Sequence, residues 1–130
     1  MRKLNSCDCA VLRLTLKRKW YNLIASGKKC EEYRDAKPYW TKRIMKWKSN
    51  QTSNWNDIAT NKWLVVAFAR GYRKPAMFFL ITWCYIHEFA DHPDWGEPST
   101  PHWVIGLGER VTLVSPRATP RETSHCITRP

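Results

Sequence analysis

The pattern that most restricts the fold lies in three stretches of strand length. Residues 11–17 alternate, with Leu12, Leu14 and Leu16 on one side and Arg13, Thr15 and Lys17 on the other. A two-residue period is that of a strand with one face buried. Residues 63–69 form an unbroken apolar run, and residues 77–89 a longer one that suits a bent strand. Residues 102–114 add one or two further strands, in which Gly106 and Gly108 permit a bulge or a sharp bend. Helical spacing is confined to two short segments. Trp20, Leu23 and Ile24 make the first stripe, and Gly27 closes it, so a short helix is expected over residues 18–26. Trp40, Ile44 and Trp47 make the second, opened by Pro38 in the first turn. Residues 29–34 between them read as extended, with Tyr33 favouring a strand. The expected class is therefore mainly β with short helices (α+β). Five or six strands this short and this apolar, with two short α-helices, close best into a small β-barrel.

A chain of 130 residues fits one domain and can bury one hydrophobic core without staples. The apolar patterning places that domain at residues 11–114, after an N-terminal extension over 1–10. Residues 50–61 are polar and read as a long loop. Residues 115–130 are polar, broken by prolines and without periodicity, and a flexible C-terminal tail is expected there.

The formal net charge is +11, and the basic residues are clustered: Lys17 to Lys19, Lys28 and Lys29, Lys42 and Arg43, Lys46 and Lys48, then Arg70, Arg73 and Lys74. Such a field attracts polyanions, nucleic acid first and an anionic membrane surface second, or serves solubility alone. Aromatic residues interleave with the charge, which favours nucleic acid or a nucleotide. No run is long enough to span a bilayer; residues 77–89 are short and contain His87 and Glu88, so no membrane association is expected. Cys7, Cys9, Cys30, Cys84 and Cys126 lack metal-knuckle spacing, and the first residues are too charged for a signal peptide. Reduced thiols in a cytoplasmic protein are the expectation. His87, His92, His102 and Cys126 make no ligand set by spacing, and His92 falls one position too late for a helical zinc pair with His87. Neither metal nor cofactor is expected. A Gly-x-Ser-x-Gly elbow and a phosphate-binding glycine loop are both missing.

One charged stretch stands out, SGKKCEEYRD at residues 26–35. With the strand and helix before it, it resembles the start of an ASCH domain, a family whose barrel is similar to that of PUA RNA-binding domains. The family signature Gly-x-Lys-x-x-Glu-x-Arg is matched by Gly27, Lys29, Glu32 and Arg34. FARGYRK from Phe68 and WVIGLGERVTL from Trp103 look like the family's later strands, so the resemblance spans residues 11–114. It implies a PUA-like barrel that handles RNA or nucleotides. One branch of the family hydrolyses acetylcytidine with a lysine, a threonine and a glutamate. The lysine matches Lys29. Glu32 stands at the threonine position, which removes the hydroxyl, and Glu88 is the third member by position only. Ribonuclease activity has been proposed for a relative. Whether this chain is an enzyme, a nucleoside amidohydrolase or a ribonuclease, stays open at this point.

The chemistry of the motif is legible beside the resemblance. Alternation puts Glu32 and Arg34 on one face. Lys29, just after the helix-ending glycine, can swing toward that face from a turn and form a cleft. There Arg34 offers a planar fork to phosphate, Lys29 a mobile charge, and Glu32 an acceptor for a base amine or a general base. Structural ion pairing of Glu32 with Arg34 is the plain alternative. Arg70 and Tyr72, on a basic turn, are further ligand candidates, able to clamp a phosphate and stack a base. A protein partner met by the eight tryptophans is a separate reading. The oligomeric state is left unassigned.

Overall fold

The computed structural model describes residues 1–51 and 61–115. Its elements in chain order are β1 (Arg2–Asn5), β2 (Cys9–Leu16), α1 (Arg18–Ala25), β3 (Glu31–Asp35), α2 (Pro38–Lys48), β4 (Trp63–Arg70), β5 (Met77–His87) and β6 (His102–Val114). Among the described residues there are also single 3₁₀ turns at Ser6–Asp8 and Pro93–Trp95. The mainly β class with two short helices is thus observed.

The strands form one mixed six-stranded sheet in the order β1-β6-β5-β4-β2, with β3 also on β6. At 13 residues, β6 is long enough to carry two partners on one edge. Its first half pairs antiparallel with β3, Glu31 opposite Gly106 through Asp35 opposite His102. Its last residues pair parallel with β1, Arg2 opposite Val111 through Asn5 opposite Val114. The β5–β6 ladder shifts register twice between Phe79 and Trp83. Gly106 takes part in that adjustment: a Cβ there would lie 2.4 Å from the Trp83 ring, so the indole rests on bare backbone.

Two expectations change. The strand pairings do not close a ring: β2 is an outer strand, laddered to β4 alone among the described residues, so the sheet is open rather than a closed barrel. The ladder stops there because β3, the other early strand, is held by β6. The Arg34 side chain bridges β3 to β2 through the Thr15 carbonyl at 2.9 Å. Residues 2–5, expected outside the domain, are β1 within the sheet. Only Leu4 of that strand is buried, so no alternation marked it. Most of the polar loop after residue 51 and nearly all of the expected tail lie outside the described residues.

The core sits between the sheet and the two helices. Leu12, Leu14 and Leu16 from β2 meet Leu64, Val66 and Phe68 from β4, Met77 and Phe79 from β5, and Trp103 and Ile105 from β6. Ile24 from α1 and Ile44 and Trp47 from α2 cover them. Fully burying each such side chain stabilises the fold by roughly 1.5–3 kcal/mol before entropy is counted. A smaller cluster of Leu4, Cys9, Val65 and Val111 lies on the opposite face. Cys9, Cys30 and Cys84 are free thiols, as expected, whereas Cys7 is disulfide-bonded.

Candidate functional site

The stretch from α1 into β3 is built by one glycine. Gly27 takes φ +81°, a conformation that L side chains rarely adopt, and the N–H groups of Lys28 and Lys29 both return to the Leu23 carbonyl, at 3.0 and 3.1 Å. This wraps the chain under α1 and leaves Lys29 in the turn, two residues before β3 begins. From there its Nζ reaches Glu32 Oε1 at 2.9 Å. Glu32 Oε2 accepts a hydrogen bond from Arg34 Nη1. Arg34 is held further by the Tyr33 carbonyl at 3.1 Å and the Thr15 carbonyl at 2.9 Å. The sequence spacing therefore does bring Lys29, Glu32 and Arg34 together.

They do not line the open cleft that the sequence suggested. Lys29 and Glu32 are each only 3% exposed. The Lys29 ammonium lies over the Trp20 ring at 4.4 Å and beside the Tyr33 ring at 5.3 Å. Two ions removed from water must pair closely, because an unpaired buried charge costs several kcal/mol. Here one carboxylate serves two cations. Arg34 is the member that reaches solvent, its guanidinium 5.1 Å from the Trp40 ring centre. Its Nε is buried with no hydrogen-bond partner among the described residues.

Arg34 opens onto a basic corner. The Thr15 carbonyl it binds is next to the end of β2, and the last carbonyl of that strand, of Leu16, accepts from the Gly71 N–H at 3.2 Å. That bond brings the turn after β4 to the start of α1. Arg70 lies there, its guanidinium 5.9 Å from the Tyr21 ring of α1. Tyr72, on the same turn, points fully into solvent and touches none of the three motif residues. Lys17, Arg18 and Lys19 open α1 and are exposed. Neither α1 nor α2 has a side-chain cap or an acidic residue in its first turn, so both present bare N–H groups and positive dipole ends. Glu88 is exposed just past β5 and takes part in none of the ion pairs described.

The other face of β3 holds a second buried polar set. Glu31, 8% exposed, accepts from the Tyr33 hydroxyl at 2.9 Å and from Trp83 Nε1 at 3.1 Å. Burial, then the bond to Glu31, drives the Tyr33 phenol far above its ordinary value.

A further cluster was missed by spacing. His87 and His102 are Cα partners across β5 and β6, and the loop between them folds Glu97 back against both. Glu97 Oε2 lies 3.0 Å from His87 Nδ1 and 2.6 Å from His102 Nε2. Glu97 Oε1 accepts from the backbone N–H groups of Asp91 and His92, at 2.8 and 2.9 Å. Burial raises the Glu97 pKa, but the bonds from both imidazoles and both amides outweigh it and leave it at about 2. His87 is shifted upward, chiefly by its bond to Glu97. A cross-strand histidine pair has no signal in a single strand's period; only the β5–β6 register reveals it.

No family model, curated protein or solved structure matches this chain.

Proposed function

We propose that the protein binds RNA or a nucleotide, and that its anionic groups dock at the corner where Arg34 lies between the starts of α1 and α2. The observation that carries this reading is the Arg34 guanidinium. Three acceptors fix its plane, one buried nitrogen stays unpartnered, and the group still reaches solvent. A fixed fork of donors loses little entropy when it takes a phosphate. Two uncapped helix starts and the exposed Lys17, Arg18 and Lys19 add positive potential at the same place. Arg70 supplies a further cation from the neighbouring turn. In this reading Lys29 and Glu32 orient Arg34 and do not themselves touch the ligand. The resemblance of Gly27, Lys29, Glu32 and Arg34 to the ASCH signature supports the same ligand class, and a PUA-like origin of the open sheet belongs to the same proposal.

Binding of a fluorescent single-stranded RNA, followed by anisotropy across a salt series, tests it. Each phosphate contact should contribute a slope of about −0.7 in log K against log salt. Arg18→Ala, at an exposed site, should remove about one such unit while leaving the fold intact. Arg34→Lys should weaken binding more, because the fork is lost although the charge stays. An unchanged slope in Arg18→Ala together with unchanged affinity in Arg34→Lys would reject the corner as the site.

A second reading, hydrolysis of an acetylated cytidine, has one observation behind it: the dry Lys29–Glu32 contact at 2.9 Å, a geometry for proton exchange. It requires that contact to open to substrate. Release of acetate from acetylcytidine by the protein, lost in Lys29→Met, is the result it demands.

A further inference from the structure

We propose that His87, Glu97 and His102 form a binding site for a first-row transition-metal dication, zinc foremost. One ligand atom from each of the three lies within 4.8 Å of the others, with His87 Nδ1 and His102 Nε2 at 3.0 and 2.6 Å from Glu97 Oε2. Zinc bonds of about 2.0–2.2 Å place tetrahedral ligand atoms roughly 3.4 Å apart, so small side-chain rotations bring this set to bonding geometry. Two imidazoles with one carboxylate suit zinc, cobalt or nickel, whereas magnesium and calcium take oxygen donors.

Orientation of the rings is the second, independent observation. His102 Nδ1 lies 2.6 Å from the Thr100 carbonyl, which can only accept, so that nitrogen carries the proton. Nε2 faces a carboxylate oxygen 2.6 Å away, and the position between these two atoms, which a shared proton would fill, is the one a metal ion would take. His87 is arranged alike: Nδ1 faces Glu97, and Nε2 faces Asp91 Oδ2 at 3.6 Å. Metal-bound histidines characteristically turn their outer nitrogen to a carbonyl or carboxylate in this way.

The surrounding charge is of the right sign. From Pro75 to Glu109 the sequence contains no Lys or Arg, although the chain has 22 of them. The same span holds Glu88, Asp91, Asp94, Glu97 and Glu109. The cluster thus lies in a stretch with acidic and no basic residues, and the charges that act on His87 are the carboxylates of Asp91, Glu97 and Glu31. Glu97 and His102 are sealed, at 1% and 0% side-chain exposure, while His87 at 22% forms the mouth. Three protein ligands and an approach beside His87 leave a fourth position for water or another small ligand.

Cobalt(II) titration of the full chain, followed by visible absorption, is the test. One equivalent should produce ligand-field bands, without the near-ultraviolet thiolate charge-transfer band that a cysteine site would give. His87→Ala, at the exposed ligand, should weaken binding by at least about a hundredfold, beyond the 10- to 100-fold typical of outer-shell losses. His92→Ala should leave binding unchanged, since that ring stacks on Trp95 at 4.0 Å instead. On the unmutated protein, zinc(II) should shift the ring ¹⁵N resonances of His87 and His102 together. Absent cobalt bands, bands with thiolate character, equal affinity in His87→Ala, or unmoved imidazole resonances would each overturn the proposal and leave the cluster a hydrogen-bonded strut.

Discussion

Replacing Glu32 with glutamine tests the physical core of the motif. The amide nearly keeps the volume of the carboxylate but removes its charge. Lys29 would then lie 3% exposed without the carboxylate it pairs with, and Arg34 Nη1 would lose its charged acceptor while keeping the Tyr33 carbonyl. Breaking a buried pair from one side typically costs about 3–5 kcal/mol. Two cations share this carboxylate, but Arg34 keeps the Thr15 and Tyr33 carbonyls and some solvent, so the lower half of that range is expected, about 3–4 kcal/mol. Against a total stability of about 5–15 kcal/mol this is a large fraction. Urea unfolding followed by tryptophan fluorescence measures it, with the m-value as a check on two-state behaviour. The double variant Lys29→Met/Glu32→Gln should recover at least half of the loss, because no unpaired ammonium then stays in the core. A Glu32→Gln loss below about 1 kcal/mol, the worth of a surface pair, would show that the contact is hydrated and that the burial argument fails. A double variant no better than the single one would place the cost elsewhere than in the stranded lysine.

Alkaline titration should show one tyrosine that stays un-ionised until unfolding: the raised Tyr33 pKa means the folded state holds that proton more tightly than the unfolded chain. Stability from this group is complete below the unfolded value near 10 and falls as pH rises above it; absorbance at 295 nm and thermal melts across that range check both statements. Gly106→Ala should destabilise by about 1–3 kcal/mol through overpacking. The new methyl would lift the Trp83 indole, and loss of its bond to Glu31 should appear as a shift in tryptophan emission. An unchanged spectrum with unchanged stability would contradict the close packing described.

Much of the fold was legible because its signals are local. Leu12, Leu14 and Leu16 alternate, and all three are buried on β2. Trp20, Leu23 and Ile24 end at a glycine with φ +81°, and Pro38 opens α2 at its first turn. β1 was not legible, since Leu4 alone carries its apolar face and its pairing with β6 is more than a hundred residues away in sequence. Barrel closure failed for a related reason. Strand length and apolarity say that a strand needs neighbours, not which ones, and β6 took β3 and β1 on a single edge.

Within the charged motif, spacing alone put positions 29, 32 and 34 within reach of one another, because a glycine-ended helix followed by a strand leaves few geometries open. Whether those charges would face water or each other depended on Trp20, Tyr33 and Trp40, which arrive from α1, β3 and α2 to cover them. The histidine–glutamate cluster lay wholly beyond local reading. Its members come from two strands and a loop, and the cross-strand register that sets His87 opposite His102 is a consequence of the folded sheet. Periodicity reports which side of an element is apolar; the meeting of polar groups from distant elements is settled when those elements pack.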